Sequence, residues 1–174
     1  MQHLILGGAR SGKSNYAEQC AQLSQKEVIY IATGTAGDNE MRERIAHHKE
    51  SRPRYWITVE EPIALADVIS QHDNPRYFLL VDCLTLWLSN ILFDTQGRYQ
   101  EDIFLQQKQA LLYELSHLNT DIALVSNEVG LGVTPIDKMS RKFVDEAGRL
   151  HQQLAKQCSH VSLITAGLAQ ALKQ

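Results

Sequence analysis

The run Gly7-Gly8-Ala9-Arg10-Ser11-Gly12-Lys13-Ser14 limits what this chain can fold into more than any other feature. It fits G-x-x-x-x-G-K-[ST], with a short apolar run, His3 to Leu6, before it and a helical pattern through Tyr16, Ala17, Cys20 and Leu23 after it. Small residues let successive backbone N–H groups turn inward around phosphate oxygens. The helix that follows adds partial positive charge at its N-terminus. A strand, a phosphate-cradling turn and a helix must therefore be consecutive. In this reading Lys13 reaches the β- and γ-phosphates of a nucleoside triphosphate, and the Ser14 hydroxyl ligates magnesium. The bland alternative is a glycine-rich turn that matches by chance, and the strand–loop–helix context argues against it.

The rest of the sequence repeats that alternation. Short runs rich in Val, Ile and Tyr predict strands at His3–Leu6, Glu27–Ala32, Tyr55–Val59, Tyr77–Val81, Asp121–Ser126 and His160–Thr165. Helical spacing predicts helices over about 13–25, 39–51, 62–71, 84–92, 101–118 and 136–157. Pro62 suits a first helical position, and Asp38 or Asn39 could cap the helix that follows it. Strands apolar almost throughout are covered on both faces, which argues for an α/β fold with a mainly parallel central sheet flanked by helices. At 174 residues the chain is the size of one domain, 1–174, and the stretch from Asp94 to Gln100 reads as a surface loop.

Composition excludes several classes. Seventeen basic against 20 acidic residues give a net charge of −3, so no general nucleic-acid or anionic-membrane field is expected. The greasiest stretch, Phe78 to Phe93, is interrupted by Asp82, Ser89 and Asn90 and is too short to span a bilayer. No signal peptide is legible, and Cys20, Cys83 and Cys158 are scattered without metal or disulfide spacing, which fits a reducing cytoplasm.

A phosphate loop needs a second carboxylate to organise magnesium, and Tyr77-Phe78-Leu79-Leu80-Val81-Asp82 supplies one at a strand end. Asp82 either serves the metal or caps the helix beginning near Leu84. The loops Thr33-Gly34-Thr35-Ala36-Gly37 and Asn127-Glu128-Val129-Gly130-Leu131-Gly132 follow two other strands. In a parallel sheet such loops converge on the crevice where ligands bind, although ordinary strand-to-helix turns would also account for them. Between Glu40 and Arg54 lie five basic and three acidic residues together with His47 and His48. On a helix His48 shares a stripe with Arg44 and Arg52, whereas His47 looks toward Glu43 and Glu50. The cationic stripe would attract a triphosphate and keep His48 neutral, leaving a ring nitrogen free as a nucleophile. A solvated face with incidental histidines is the competing reading.

The whole chain resembles the bifunctional adenosylcobinamide kinase/adenosylcobinamide-phosphate guanylyltransferase family of cobalamin biosynthesis. The residues that carry the likeness are Gly7 to Ser14, Tyr30-Ile31-Ala32-Thr33, Glu40-Met41 with Arg44-Ile45, and His48-x-x-x-Arg52-Pro53-x-x-Trp56-x-Thr58-x-Glu60. They continue through Asn127-Glu128-Val129-Gly130-x-Gly132 with Pro135, and Gly148-Arg149. The resemblance implies a recombinase-like P-loop fold, a homotrimer, and two reactions. The first phosphorylates the aminopropanol hydroxyl of adenosylcobinamide with ATP or GTP. The second transfers GMP from GTP to adenosylcobinamide phosphate through a covalent GMP-histidine, releasing pyrophosphate and giving adenosylcobinamide-GDP. It further implies His48 as the histidine, with His47 one position away. Thr33, Gly34, Thr35, Lys49, Glu50, Ser51, Arg52, Glu60 and Asp82 join Gly7–Ser14 in holding nucleotide, with Mg²⁺ on Ser14 and Asp82. Two departures, His151 where the family often has Asn and Gly167-Leu168-Ala169 where it often has proline, bear on corrinoid contacts and subunit packing. A small-molecule kinase without the transferase step, and a P-loop ATPase or nucleotide-dependent binding module, are the alternative readings.

Overall fold

The apolar runs assemble into one seven-stranded sheet in the order β3-β2-β4-β5-β1-β6-β7. The structure is a computed structural model and describes residues 1–35 and 53–174. The strands are β1 Gln2–Gly7, β2 Glu27–Ala32, β3 Ile57–Glu60, β4 Tyr77–Asp82, β5 Asp121–Asn127, β6 His160–Thr165 and β7 Leu168–Lys173. Every pairing from β3 across to β6 is parallel, and β7 alone runs antiparallel, along β6. Among the described residues the helices are α1 Lys13–Leu23, α2 Leu65–Gln71, α3 Leu84–Leu92, α4 Glu101–His117 and α5 Lys138–Gln157.

Alternate strand residues feed two cores. Leu4, Ile29, Leu79, Val81, Ile122 and Leu124 pack with α2, α3, α4 and α5, around the fully buried Trp87. Ile5, Val28, Tyr30, Leu80, Ala123 and Val125 pack on the other face with Ala17 and Ala21 of α1 and with Trp56. Each Val, Leu, Ile or Phe side chain that leaves water contributes about 1.5–3 kcal/mol. Burial on both faces explains why these strands read as unbroken apolar runs.

Three expectations are corrected. The helix expected from Pro62 begins at Leu65, because Glu61 Oε1 accepts the N–H groups of Ile63 and Ala64, both at 2.8 Å, and holds Pro62 in the turn before it. The last helix begins at Lys138, where Asp137 caps it by accepting from Ser140 N at 2.8 Å. The third strand covers Ile57–Glu60 and not Tyr55–Val59. Strand β7 has no counterpart in the sequence reading. It is joined to β6 by a two-residue turn in which Ala166 (φ 52°) and Gly167 (φ 79°) are both left-handed, the geometry that matches strand twist in tight hairpins. The expected helix over 39–51 and its Asp38 or Asn39 cap lie outside the described residues.

Candidate nucleotide site

The phosphate loop leaves β1 at Gly7 and enters α1 at Lys13. A Cβ on Gly7 would collide with the Ser11 side chain and would lie 2.7 Å from the carbonyl oxygen of Ile164, so only glycine fits there. Gly12 turns the chain into the helix at φ 94° and supplies no side-chain cap, which leaves the first-turn N–H groups available to an anion. The β6–β7 turn braces the loop from outside, since Gly167 N donates to Ser11 O at 2.8 Å. Lys13 is buried, and its Nζ donates to Gly8 O at 3.2 Å. Burial pushes its ammonium below the ordinary lysine range, while the Asp82 carboxylate pulls the other way. A buried ammonium held by one long carbonyl contact is ready to exchange it for phosphate oxygens.

Asp82 ends β4, two strand spacings from β1, and α1 packs across the strands between. Its Oδ2 accepts from Tyr30 Oη at 2.8 Å. The helix-capping alternative does not hold: Cys83 is the N-cap residue of α3, and no side chain caps that helix. The carboxylate is instead positioned by a strap between neighbouring loops. The Thr33 hydroxyl donates to Cys83 O at 2.7 Å and accepts from Cys83 N at 3.0 Å. Asn90 Nδ2 secures the same strap by donating to Thr33 O at 2.9 Å. Burial, then the Asp82 charge, pushes the Cys83 thiol up to about 11, so it stays protonated. A magnesium ion in such a loop takes a hydroxyl, a carboxylate and phosphate oxygens. Ser14 in the first turn of α1 and the half-buried Asp82 are hard oxygen donors of that kind.

The remaining candidates distribute unevenly. Gly8, Ala9 and Arg10 are exposed at the lip of the loop, and Ser11 is buried beneath it. Gly34 and the exposed Thr35 follow β2. Glu60 sits at the end of β3, in register with Ala32, four strand spacings or about 19 Å from β1. The crest therefore gathers Gly7–Ser14, Thr33–Thr35 and Asp82, with Glu60 at its far edge. His47, His48, Lys49, Glu50, Ser51 and Arg52 lie outside the described residues. Trp56 and Trp87 are core residues, and Tyr99 is exposed.

Sequence reasoning missed the supports of the site. Tyr30, Asn90 and Gly167 each act across 50 or more residues of chain. The one available signal was a glycine two residues beyond a strand run, at Gly167. A depression of about 440 Å³, lined by Gln25, Lys26, Glu27, Val28, Tyr55 and Ile57, lies at the amino ends of β2 and β3. That is the wrong end of a parallel sheet for a ligand, and none of the phosphate-loop residues reaches it. No helix among the described residues is long and apolar enough to cross a membrane.

A parallel sheet with a glycine-rich loop between β1 and α1, a buried lysine and a strand-end aspartate defines a P-loop nucleotide-binding protein. Solved structures agree on the fold. A protein of Pyrococcus horikoshii OT3 superposes with a TM-score of 0.56 at 10% identity, covering 99% of this chain and 86% of its own. The RadB recombinase superposes at 0.50 with 17% identity, covering 93% and 73%.

Sequence comparison is more specific. The profile of the CobU family, cobinamide kinase / cobinamide phosphate guanyltransferase, matches residues 3–172, and the chain belongs to that family. It is an enzyme of adenosylcobalamin biosynthesis. The bifunctional adenosylcobalamin biosynthesis protein CobP of Pseudomonas aeruginosa is 50% identical over 173 residues, covering 99% of this chain and 98% of its own length. The CobU protein of Escherichia coli K12, which bears the same description, is 39% identical over 182 residues, covering 99% and 100%.

Proposed function

We propose that one domain, residues 1–174, carries out both transfers at the crest of the parallel sheet. In the first, the aminopropanol hydroxyl of adenosylcobinamide attacks the γ-phosphorus of ATP or GTP and nucleoside diphosphate leaves. In the second, His48 attacks the α-phosphorus of GTP and releases pyrophosphate. Adenosylcobinamide phosphate then takes the GMP from the histidine to give adenosylcobinamide-GDP. The observation that carries this reading is Lys13, buried in a loop built for phosphate and held, among the described residues, by Gly8 O at 3.2 Å.

Gly7 to Ser14 hold the phosphates, with Thr33, Gly34, Thr35, Lys49, Glu50, Ser51, Arg52 and Glu60 along the rest of the nucleotide. Ser14 and Asp82 would hold Mg²⁺, which neutralises charge on the phosphates when bound. A neutral imidazole at His48 suits the second step, because a phosphoramidate is reactive yet survives until the next attack. Homotrimer assembly and a cytoplasmic location complete the proposal, on the strength of family likeness.

Incubation with GTP labelled at the α-phosphate tests it. The expected result is acid-labile, base-stable label on the protein that His48→Ala abolishes and His47→Ala retains. Loss of label in His47→Ala alone would move the nucleophile by one residue. No label, with cobinamide still phosphorylated, would remove the histidine step.

A further inference from the structure

The nucleotide chemistry above uses the ends of β1, β2, β3 and β4 but leaves the end of β5 without a task, although β5 lies between β4 and β1. Asp82 is in register with Val125, and Gly7 with Asn127. Because side chains alternate along a strand, Asn127 presents to the same face as Val125 and Asp82, the face that carries α1 and the phosphate loop. Its backbone is fixed there, since Asn127 N donates to Thr85 Oγ1 at 2.7 Å and Glu128 N donates to Gly7 O at 3.0 Å. Asn127 Oδ1 is nevertheless buried with no hydrogen-bond partner. A buried amide oxygen in this position costs stability unless a donor reaches it. Triphosphate oxygens bring lone pairs, not protons, and cannot fill that place, whereas the hydroxyl of an acceptor substrate can.

The loop that leaves Asn127 adds a second observation. It is tied at its start by Glu128 N on Gly7 O, and at its end by the Asp137 cap and by Arg141 Nη1 on Pro135 O at 3.0 Å. Between those ties Leu131, Val133 and Ile136 are 83%, 96% and 97% exposed. Three apolar side chains this bare, on a loop starting one residue beyond the phosphate loop's register partner, suit a partly apolar ligand that must also reach the phosphates.

We propose that the end of β5 and its loop form the acceptor wall of the site. Asn127 Oδ1 accepts the hydrogen bond of the aminopropanol hydroxyl, and Leu131, Val133 and Ile136 hold an apolar face of the corrinoid. In the transfer the hydroxyl oxygen bonds to the γ-phosphorus, the bond to the β,γ-bridging oxygen breaks, nucleoside diphosphate leaves and the proton passes to water. Asn127 aims the hydroxyl and takes no proton. The proposal rests on the cobinamide kinase reading and specifies its acceptor side.

The test uses the full-length enzyme with cobinamide as acceptor, and compares phosphorylation with covalent GTP labelling, which needs no acceptor. Asn127→Ala is expected to lower kcat for phosphorylation at least 30-fold while the GTP label stays within twofold. Replacing Leu131, Val133 and Ile136 together by serine is expected to raise the KM for cobinamide at least tenfold, with kcat within threefold and the mass by light scattering unchanged. Those loop positions are exposed, so the second variant reports even if Asn127→Ala folds poorly. Loss of label in Asn127→Ala at unchanged melting temperature would assign it to the nucleotide and overturn the proposal. An unchanged KM, or a changed mass that makes the loop a subunit contact, would overturn it as well. Wild-type enzyme that takes the GTP label but never phosphorylates cobinamide would instead sink the kinase reading.

Discussion

The two ends of the sheet treat polar groups in opposite ways. At the amino ends of the strands the charged and titratable groups are closely paired. Asp73 accepts from Asn119 N, Asn119 Nδ2, Thr120 N and Thr120 Oγ1 at 2.8–3.0 Å. Asp121 is clasped by the terminal amine of Met1 and by Lys26. The buried His3 meets Ser162 Oγ at 2.9 Å. Gln2 Oε1 and Trp56 Nε1, just ahead of β3, are the exceptions there. At the carboxyl ends Ser11 Oγ and Asn127 Oδ1 are buried without partners, and Lys13 has one long contact. Full pairing stabilises the folded chain by itself, whereas spare capacity becomes favourable only when a ligand arrives. The foot of the sheet secures the fold and the crest holds capacity for substrate.

If that division is right, crest variants lose activity without stability and foot variants do the reverse. The largest effect is expected from Lys13→Ala, which should lower both phosphorylation and GTP labelling by at least about 100-fold. Its melting temperature should hold or rise, since a buried and weakly paired charge is removed. A melting temperature lowered by 5 °C or more would break the comparison.

Next comes pH. Burial, then the neighbouring His160, pushes His3 down to about 4 from 6.5. The folded chain thus refuses a proton that the unfolded chain binds. The stabilising contribution is complete above pH 6.5 and is lost as pH falls toward 4, about 3 kcal/mol in all. Denaturant melts at successive pH values check this, and His3→Gln should flatten the slope in that window. For Asp73, burial alone would raise the carboxyl, but the bonds from Asn119 and Thr120 outweigh it and hold it below 3.8. Its contribution persists down to that region and is lost below it.

Asp73→Ala should accordingly cost about 2 kcal/mol, a drop of roughly 5 °C in Tm, with kcat unchanged well below the transition. The smallest effect is expected from Tyr30→Phe. It removes the donor at Asp82 Oδ2 and should slow both reactions about three- to tenfold, with a change in Tm of no more than about 3 °C.

Legibility in the sequence followed the range of the interactions involved. The phosphate loop could be read because its glycines, lysine and serine meet local demands, within eight residues and a flanking strand and helix. The parallel sheet could be read because two-sided burial makes a strand apolar along its length. Asp82 could be placed at a strand end, but helix capping was ruled out only once Cys83 was seen to be the N-cap residue, with Tyr30, 52 positions from Asp82, donating to its carboxylate. Asn127 was visible as part of a loop, but that it faces the phosphate loop depends on the β1–β5 register. Strand β7 was missed because all six of its residues are exposed, so burial imprints no pattern on Leu168–Lys173. Pro62 misled because Glu61 takes over the turn that a helix start would otherwise occupy.

Strand β1 carries the phosphate loop, yet its two neighbours are β5 and β6, and the loop itself leans on Gly167. During synthesis the motif thus leaves the ribosome more than a hundred residues ahead of the strands that complete it. A nascent chain that has not yet made β5 displays every letter of Gly7–Ser14 while having nothing on either side of β1 to hold it. Nucleotide can reward only a chain in which β5 and β6 have followed, so commitment to the ligand comes long after the motif itself is made.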